Sequence, residues 1–309
     1  MQCFLCKKSG FEKVYTLKTK NILCCKNDGL ILGETTAYNK INIYGTEYFS
    51  NEPNRFNQNY FKTKLLTLKH LTLNKKPQVL DIGCGWGDFE EVLEAEKIPY
   101  LGIDVNKEAI EICKKKGLNC EHLTIDQLLN YKKQDTRYKQ LSNNNNQKSK
   151  KFEELKFGNW NFFGKLVSWN LEFDCITLFQ VIEHLKNPIP LLQAAKKLLK
   201  KNGLILITTP NNDSPLRKLM GSRWSVYNEP SHYVFYNQKT LEKTLQLAGF
   251  KKIHIKIDQP RFLSSNYILN RFKQMYFPTF NFSFLTFNLP IPTDPFGDLE
   301  ASAFINYDK

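Results

Sequence analysis

Asp81-Ile82-Gly83-Cys84-Gly85-Trp86-Gly87 is the stretch of this 309-residue chain with the most pointed chemistry. Residues 78–82 read as a strand and the residues from Trp86 as a helix, so three alternate glycines fall on a strand-to-helix turn. Glycine is needed at such a turn because the backbone bends sharply and a ligand approaches it closely. The spacing is G-x-G-x-G with a carboxylate two residues ahead, whereas loops that cradle a dinucleotide pyrophosphate read G-x-G-x-x-G. Asp81 suits a ligand that brings an ammonium or another positive charge in place of a phosphate. Asp104 follows at the end of the next strand, Tyr100–Asp104. An acid at that place can accept two hydrogen bonds from ribose hydroxyls. The alternative is that Asp104 caps the helix starting near Lys107.

A second group of reactive residues opens the chain. Cys3-x2-Cys6 is followed by Cys25-Lys26-Asn27-Asp28-Gly29. Two C-x2-C pairs at such a distance make a zinc ribbon. Here Asp28 stands where the fourth cysteine would be, and a carboxylate can ligate zinc. Cys24 is the other candidate, although adjacent side chains on a strand point opposite ways. The expected ligands are therefore Cys3, Cys6 and Cys25, with Asp28 or Cys24. The contrasting reading is a packed ribbon without metal.

These groups need a frame. After 78–82 the pattern predicts a helix at 86–97, the strand Tyr100–Asp104, a helix at 107–116 and a strand at 119–123. Beyond an insertion come a strand at 173–179, a helix at 189–199, a strand at 204–209, a helix at 238–248 and a strand at 252–257. Strands alternating with helices of about ten residues imply right-handed crossovers and a parallel sheet covered on both faces. The predicted fold class is α/β, doubly wound and mostly parallel. A last strand at 301–306 is expected at the sheet edge. Ahead of this domain, Phe56, Tyr60, Phe61, Leu65, Leu68 and Leu71 recur at helical spacing. The expectation is a helix packed on the domain rather than lying on a membrane surface. The predicted division is a ribbon-like unit over 1–43, a helical connector over 44–76, the main domain over 77–258 and a Phe- and Pro-rich extension over 259–309. That extension is either a lid over an acceptor or a packed tail.

The net charge is +14. Such a balance admits a nucleic-acid partner, but nine basic and three acidic residues of it fall between positions 130 and 165, around four consecutive asparagines. That insertion, at about 131–164, reads as a solvated, disordered loop with no aromatic platform among its lysines. No apolar run approaches the roughly 18 residues of a membrane span. The start lacks the apolar core of a secretory signal, and the eight cysteines are not framed as a disulfide scaffold. The expected compartment is reducing and cytoplasmic.

At these residues the sequence resembles the class I methyltransferases that use S-adenosylmethionine (SAM), and most of all the branch of ubiquinone-biosynthesis O-methyltransferases. The likeness rests on 79–87, on Leu101-Gly102-Ile103-Asp104, on 173–188 with its Val181-Ile182-Glu183-His184-Leu185, on 203–211 and on 232–250. It implies a seven-stranded sheet with an antiparallel last strand. It also implies Asp81 and the loop Gly83, Cys84, Gly85 and Gly87 around the methionine part of SAM, Asp104 and Val105 at the ribose, Asp126 nearest the adenine, and Gln180 near the methyl-transfer centre. Some members of the branch carry a zinc ribbon ahead of a connector like Tyr44-Gly45-Thr46-Glu47-Tyr48-Phe49.

A sulfonium donor is already activated, so the protein's task is to align donor and acceptor and to exclude water. An oxygen or nitrogen acceptor must also lose a proton. His232, His184 and Glu183 are the candidate bases in that order, because a base must reach the acceptor and the excursion carrying His232 is where the branch builds its acceptor wall. Three functions compete: methylation of a small-molecule acceptor such as a sugar or quinone, most readily on oxygen; methylation of RNA; and SAM binding without catalysis.

Overall fold

The computed structural model describes residues 1–35, 58–133, 171–260, 262–264, 290–292 and 297–305. Most of the predicted insertion, the Tyr44–Phe49 connector and most of the Phe- and Pro-rich stretch lie outside these residues.

Three strands open the chain: β1 (Phe11–Thr16), β2 (Lys20–Cys25) and β3 (Ile31–Thr35). Helix α1 (Gln58–Thr72) leads to β4 (Val79–Ile82), α2 (Asp88–Ala95), β5 (Tyr100–Asp104), α3 (Lys107–Lys115) and β6 (Cys120–His122). A further helix, α4, starts at residue 125. After it come β7 (Phe173–Phe179), α5 (Ile189–Leu198), β8 (Leu199–Pro210), α6 (Pro215–Met220), β9 (Val234–Phe235), α7 (Gln238–Leu247), β10 (Lys251–Ile257), the short pair β11 (Phe262–Ser264) and β12 (Pro290–Pro292), and β13 (Asp298–Phe304).

Seven strands form the main sheet in the order β10-β13-β8-β7-β4-β5-β6. The pairs β4–β5, β5–β6, β4–β7 and β7–β8 are parallel, and β13 runs antiparallel to both neighbours. The chain moves outward from β4 through β5 to β6, then returns to the other side of β4 as β7. That reversal opens a crevice at the carboxyl ends of β4 and β7, where sheets of this kind bind ligands. β4 is buried along its whole length, as a strand covered on both faces must be.

The last strand is not at the edge. β13 is inserted between β10 and β8, and it starts at Asp298 rather than at 301. Its Leu299, Ala301 and Ala303 are fully buried. The short side chains of Asp298-Leu-Glu-Ala-Ser-Ala-Phe304 look like an exposed margin in sequence, yet they are what a strand pressed between two neighbours and two helical layers can accommodate.

Helix α1 lays Leu65 and Leu68 against Val79, Phe89, Leu93, Leu204 and Leu206, so it packs on the domain as expected. Burial of each such leucine contributes about 1.5–3 kcal/mol. The same face carries Lys64, whose side chain is 1 % exposed. Its ammonium pairs with both Asp258, just after β10, and Glu300 of β13. Tyr60 donates to the second Asp258 oxygen at 2.6 Å. Burial works against the Glu300 carboxylate, but Lys64 and Lys256 outweigh it and hold its pKa below the usual value. Removing one partner from such a cluster leaves uncompensated buried charge. Lys64→Ala is therefore expected to destabilise the fold by about 3–5 kcal/mol in urea unfolding.

Candidate active site

The glycine loop sits where β4 ends in the crevice. Gly83 and Cys84 both donate their amides to the Ile103 carbonyl of β5, at 2.8 and 3.2 Å. Gly83 has a φ of 80°. A Cβ there would stand 2.5 Å from Val181 Cγ2, so only glycine lets the loop close onto the turn after β7. Gly87, at φ 81°, forms the N-terminal cap of α2. A Cβ on Gly85 would meet nothing within 4 Å, which marks the open face of the cradle.

Asp104 holds the loop from the other side. Its Oδ2 accepts from the Gly85 amide at 3.0 Å and its Oδ1 from the Asn106 amide at 2.8 Å. The cap of α3 is Asn106, which accepts from Ala109, so the capping role weighed for Asp104 belongs to Asn106. Val105 next to it is 65 % exposed. Asp126 is exposed near the start of α4, beyond β6. Asp81 is buried, accepts from the Thr177 hydroxyl, and lies against Glu90. Burial raises its pKa to about 6. Burial likewise raises that of Asp104. Two carboxyls at the crevice are thus held where a cation would be welcome.

Across the crevice β7 ends in Gln180, whose φ is 59°. A non-glycine residue in the left-handed region costs of order 1–3 kcal/mol, and such strain gathers at functional sites. The Gln180 amide donates to the Thr208 carbonyl at 2.9 Å, and its side chain reaches Thr208 and Asp298 at 3.4 Å. The turn Ile182–His184 follows at once. Glu183 is buried and accepts from the Thr209 hydroxyl at 2.9 Å, and its carbonyl accepts from the Tyr233 amide at 2.8 Å. The His184 and His232 rings meet edge to face, 4.7 Å apart. Burial lowers the His184 pKa. One donor atom from each of Glu183, His184 and His232 falls within 4.8 Å of the others. All three bases proposed from sequence therefore converge, from two segments about fifty residues apart. His232 Nδ1 lies 3.1 Å from the Val226 carbonyl. A carbonyl only accepts, so Nδ1 is the donor in this contact, and in the neutral ring the lone pair falls on Nε2.

The N-terminal unit reaches this cluster. β3 pairs with β9, two residues after His232, and completes a four-stranded sheet β1-β2-β3-β9. Gly33 donates to the Tyr233 carbonyl at 2.8 Å. Lys20 of β2, 1 % exposed, donates to the carbonyls of Glu229 and His232, the latter at 2.9 Å. Burial lowers its pKa to about 8. Ile22 and Ile31 pack with Trp224, Tyr227 and Phe235 in a small separate core. Sequence reasoning missed β2 and Lys20, since nothing distinguishes Lys20 from its solvated neighbours until the carbonyls that surround it are in place.

At the far end of the same sheet, Cys3, Cys6, Cys25 and Asp28 bring one ligand atom each within 4.8 Å of one another. Cys3 Sγ lies 3.2 Å from Asp28 Oδ2 and Cys6 Sγ 3.6 Å from Cys25 Sγ. Cys24 is outside the group, its thiol directed to the Cys25 carbonyl, whereas Asp28 lies within it. Three sulfurs and one carboxylate drawn from two tight turns fit a tetrahedral zinc ion.

A doubly wound sheet with an antiparallel strand inserted next to its edge, a glycine loop at the reversal point and a strand-end acid facing it define a class I methyltransferase fold. A family model described as a methyltransferase domain matches residues 54–255, and the chain belongs to that family. The ubiquinone biosynthesis O-methyltransferase of Haemophilus ducreyi is 30 % identical over 160 residues, 52 % of either chain. The mitochondrial ubiquinone biosynthesis O-methyltransferase of Dictyostelium discoideum is 23 % identical over 261 residues, 78 % of this chain and 72 % of that one. The chain thus spans about half the length of the bacterial relative. A crystal structure of a SAM-dependent methyltransferase from Archaeoglobus fulgidus covers 84 % of this chain and all of that one, at 20 % identity and a TM-score of 0.49. No helix among the described residues is long and apolar enough to cross a membrane.

Lys20 makes the N-terminal sheet part of the site. Lys20→Met keeps the length of the side chain and removes its donors. It is expected to lower turnover by up to about 10²-fold, the scale of an ångström's misplacement, with SAM affinity unchanged in calorimetry.

Proposed function

We propose that this chain transfers the methyl group of SAM to an oxygen of a small-molecule acceptor. The observation that carries this reading is the Glu183–His184–His232 cluster set beside the glycine loop, with His232 Nδ1 turned to the Val226 carbonyl. Membership of the methyltransferase family and the O-methyltransferase relatives support it.

The residues present fit SAM. Asp81 and Asp104 are acids whose ionised forms burial disfavours, and an ammonium or sulfonium would stabilise both. Gly85 leaves open space where a ligand could lie against the backbone. When bound, SAM supplies a methyl group on sulfur that is ready for in-line displacement. Asp81 and the loop residues Gly83, Cys84, Gly85 and Gly87 would hold the amino-acid part. Asp104 would hold the ribose beside Val105, with Asp126 toward the adenine. Gln180 would line the transfer centre. His232 Nε2 takes the acceptor proton. His184, kept neutral by burial, packs against the imidazole, and Glu183 stabilises the imidazolium that forms. The buried Glu183 carboxylate is a positioning group, since the Thr209 hydroxyl already holds it, while the Tyr233 amide anchors the Glu183 carbonyl.

Zinc at Cys3, Cys6, Cys25 and Asp28 would brace the sheet that carries Lys20. Thiolate ligation and eight cysteines without a disulfide among them fit a reducing, cytoplasmic compartment.

His232→Gln is expected to lower turnover about 10²–10⁴-fold, the usual contribution of a general base, with SAM affinity unchanged. Full turnover by this variant on an acceptor found by radiolabelled-methyl transfer to metabolite extracts would make His232 a packing residue. The pH dependence follows from Asp81. In the empty site its carboxyl protonates near pH 6, and a cationic ligand binds its ionised form. SAM affinity is therefore expected to be constant above about pH 7 and to fall as pH drops through about 6, and an Asp81→Asn variant should lack that fall.

A further inference from the structure

Behind the glycine loop lies a second group of sulfurs, separate from the N-terminal one. Cys84 of the loop, Cys113 of α3 and Cys120 of β6 place their three Sγ atoms within 4.8 Å of one another. They come from three different elements and are all buried. Ile110 and Leu118 close the pocket on the apolar side. Cys113 Sγ also lies 3.3 Å from the Gly85 carbonyl, so the group touches the loop from the side opposite its open face.

A carboxylate borders the set, more than 4.8 Å from at least one of the sulfurs. Glu90 of α2 is 0 % exposed, no hydroxyl or ammonium reaches either of its oxygens, and its polar neighbours are its own amide and the Asp81 carboxyl. Its neighbours in charge are the acids Asp81 and Cys113. The position of Gly102 on β5 shows where its oxygen points. A Cβ on Gly102 would stand 2.8 Å from Cys120 Sγ, 2.9 Å from Glu90 Oε1 and 3.0 Å from Cys84 Cβ. The space a side chain would occupy is taken by the thiol, the carboxylate and the cysteine stem. A buried carboxylate with so little donation is costly unless it meets a cation or gains a proton.

We infer that Cys84, Cys113, Cys120 and Glu90 form a second structural metal site, for a thiophilic divalent cation of which zinc is the best match. Zinc–thiolate bonds are about 2.3 Å long, which sets tetrahedral sulfurs about 3.8 Å apart. Shifts of about 1 Å or less bring the present thiols to that spacing. Closed, four-coordinate Cys₃ sites with one harder ligand are structural, not catalytic. Binding displaces the thiol protons to solvent. Lys116, whose ammonium donates to the Trp86 carbonyl at 2.8 Å and whose field reaches Cys113, offsets part of the negative charge. The ion would tie the loop, α2, α3 and β6 together beneath the cofactor cradle.

The competing state is a small core of protonated thiols, with Glu90 and Asp81 sharing one proton. Metal stoichiometry separates the two. Full-length protein and a Cys3→Ser/Cys6→Ser variant are stripped with chelator under reducing conditions and titrated with Zn²⁺, and with Co²⁺ as the spectroscopic probe. The wild type is expected to take up two equivalents and the double variant one. The Co²⁺ form of the double variant should show thiolate-to-cobalt charge transfer and the visible bands of a tetrahedral ion. Adding Cys113→Ser should abolish that equivalent, with circular dichroism confirming the fold. Glu90→Gln should keep the charge transfer and weaken the affinity at least about tenfold, as loss of a supporting carboxylate does. No uptake by the Cys3→Ser/Cys6→Ser variant overturns the site, even if Cys113→Ser fails to fold. Uptake that survives both Cys113→Ser and Cys120→Ser also overturns it, and unchanged affinity in Glu90→Gln overturns the four-ligand assignment.

Discussion

The site depends on the close approach of Gly83 to Val181. β4 and β7 are neighbours in the sheet but far apart in the chain, and their carboxyl ends face one crevice. The loop after β4 closes onto the turn after β7 only because Gly83 has no side chain to meet the Val181 methyl group. That contact fixes the distance between the cofactor cradle on one wall and the Glu183–His184–His232 cluster on the other. Gln180, held in a strained conformation by Thr208, aims the turn. The strain is local, and it is carried by a strand paired on both sides.

Acids crowd this crevice. Asp81, Asp104 and Glu90 are all drawn toward their neutral forms, in each case by burial first. Asp104 recovers part of this through two backbone amides and Asp81 through the Thr177 hydroxyl, whereas Glu90 has only its own amide. Such a set of acids is balanced only by added positive charge. Positive charge on the open side of the loop satisfies Asp81 and Asp104, and positive charge behind it satisfies Glu90. Preorganised groups that await a charge spend no reorganisation when it arrives.

The alternating strands and helices, the glycine loop and the strand-end acid were legible because each is local. Apolar runs of five to seven residues and the punctuating glycines give most of the elements from 78 to 257 within a few residues, though not α4, α6 or β9. Placement of β13 was not legible. Its alternation and small side chains speak of a strand, but only pairing with β8 on one side and β10 on the other shows it to be interior. Nothing in the sequence marked Lys64 and Lys20, since their burial depends on partners some two hundred residues away. Cys84, Cys113 and Cys120 looked like scattered thiols for the same reason: no spacing rule links a loop, a helix and a strand. The bases were found by position relative to the sheet edge, and their mutual contact came from the pairing of β3 with β9.

That pairing has a consequence for how the molecule breathes. β9 is only two residues long, and the rest of its sheet comes from the first thirty-five residues of the chain. A strand so short has no stability of its own, so the segment around His232 and the N-terminal hairpins open as one cooperative unit with a shared protection free energy. Slow-exchanging amides at Gly33 and Tyr233 would lose protection together. The excursion that carries His232 inherits its rigidity from strands that lie some two hundred residues away in the chain.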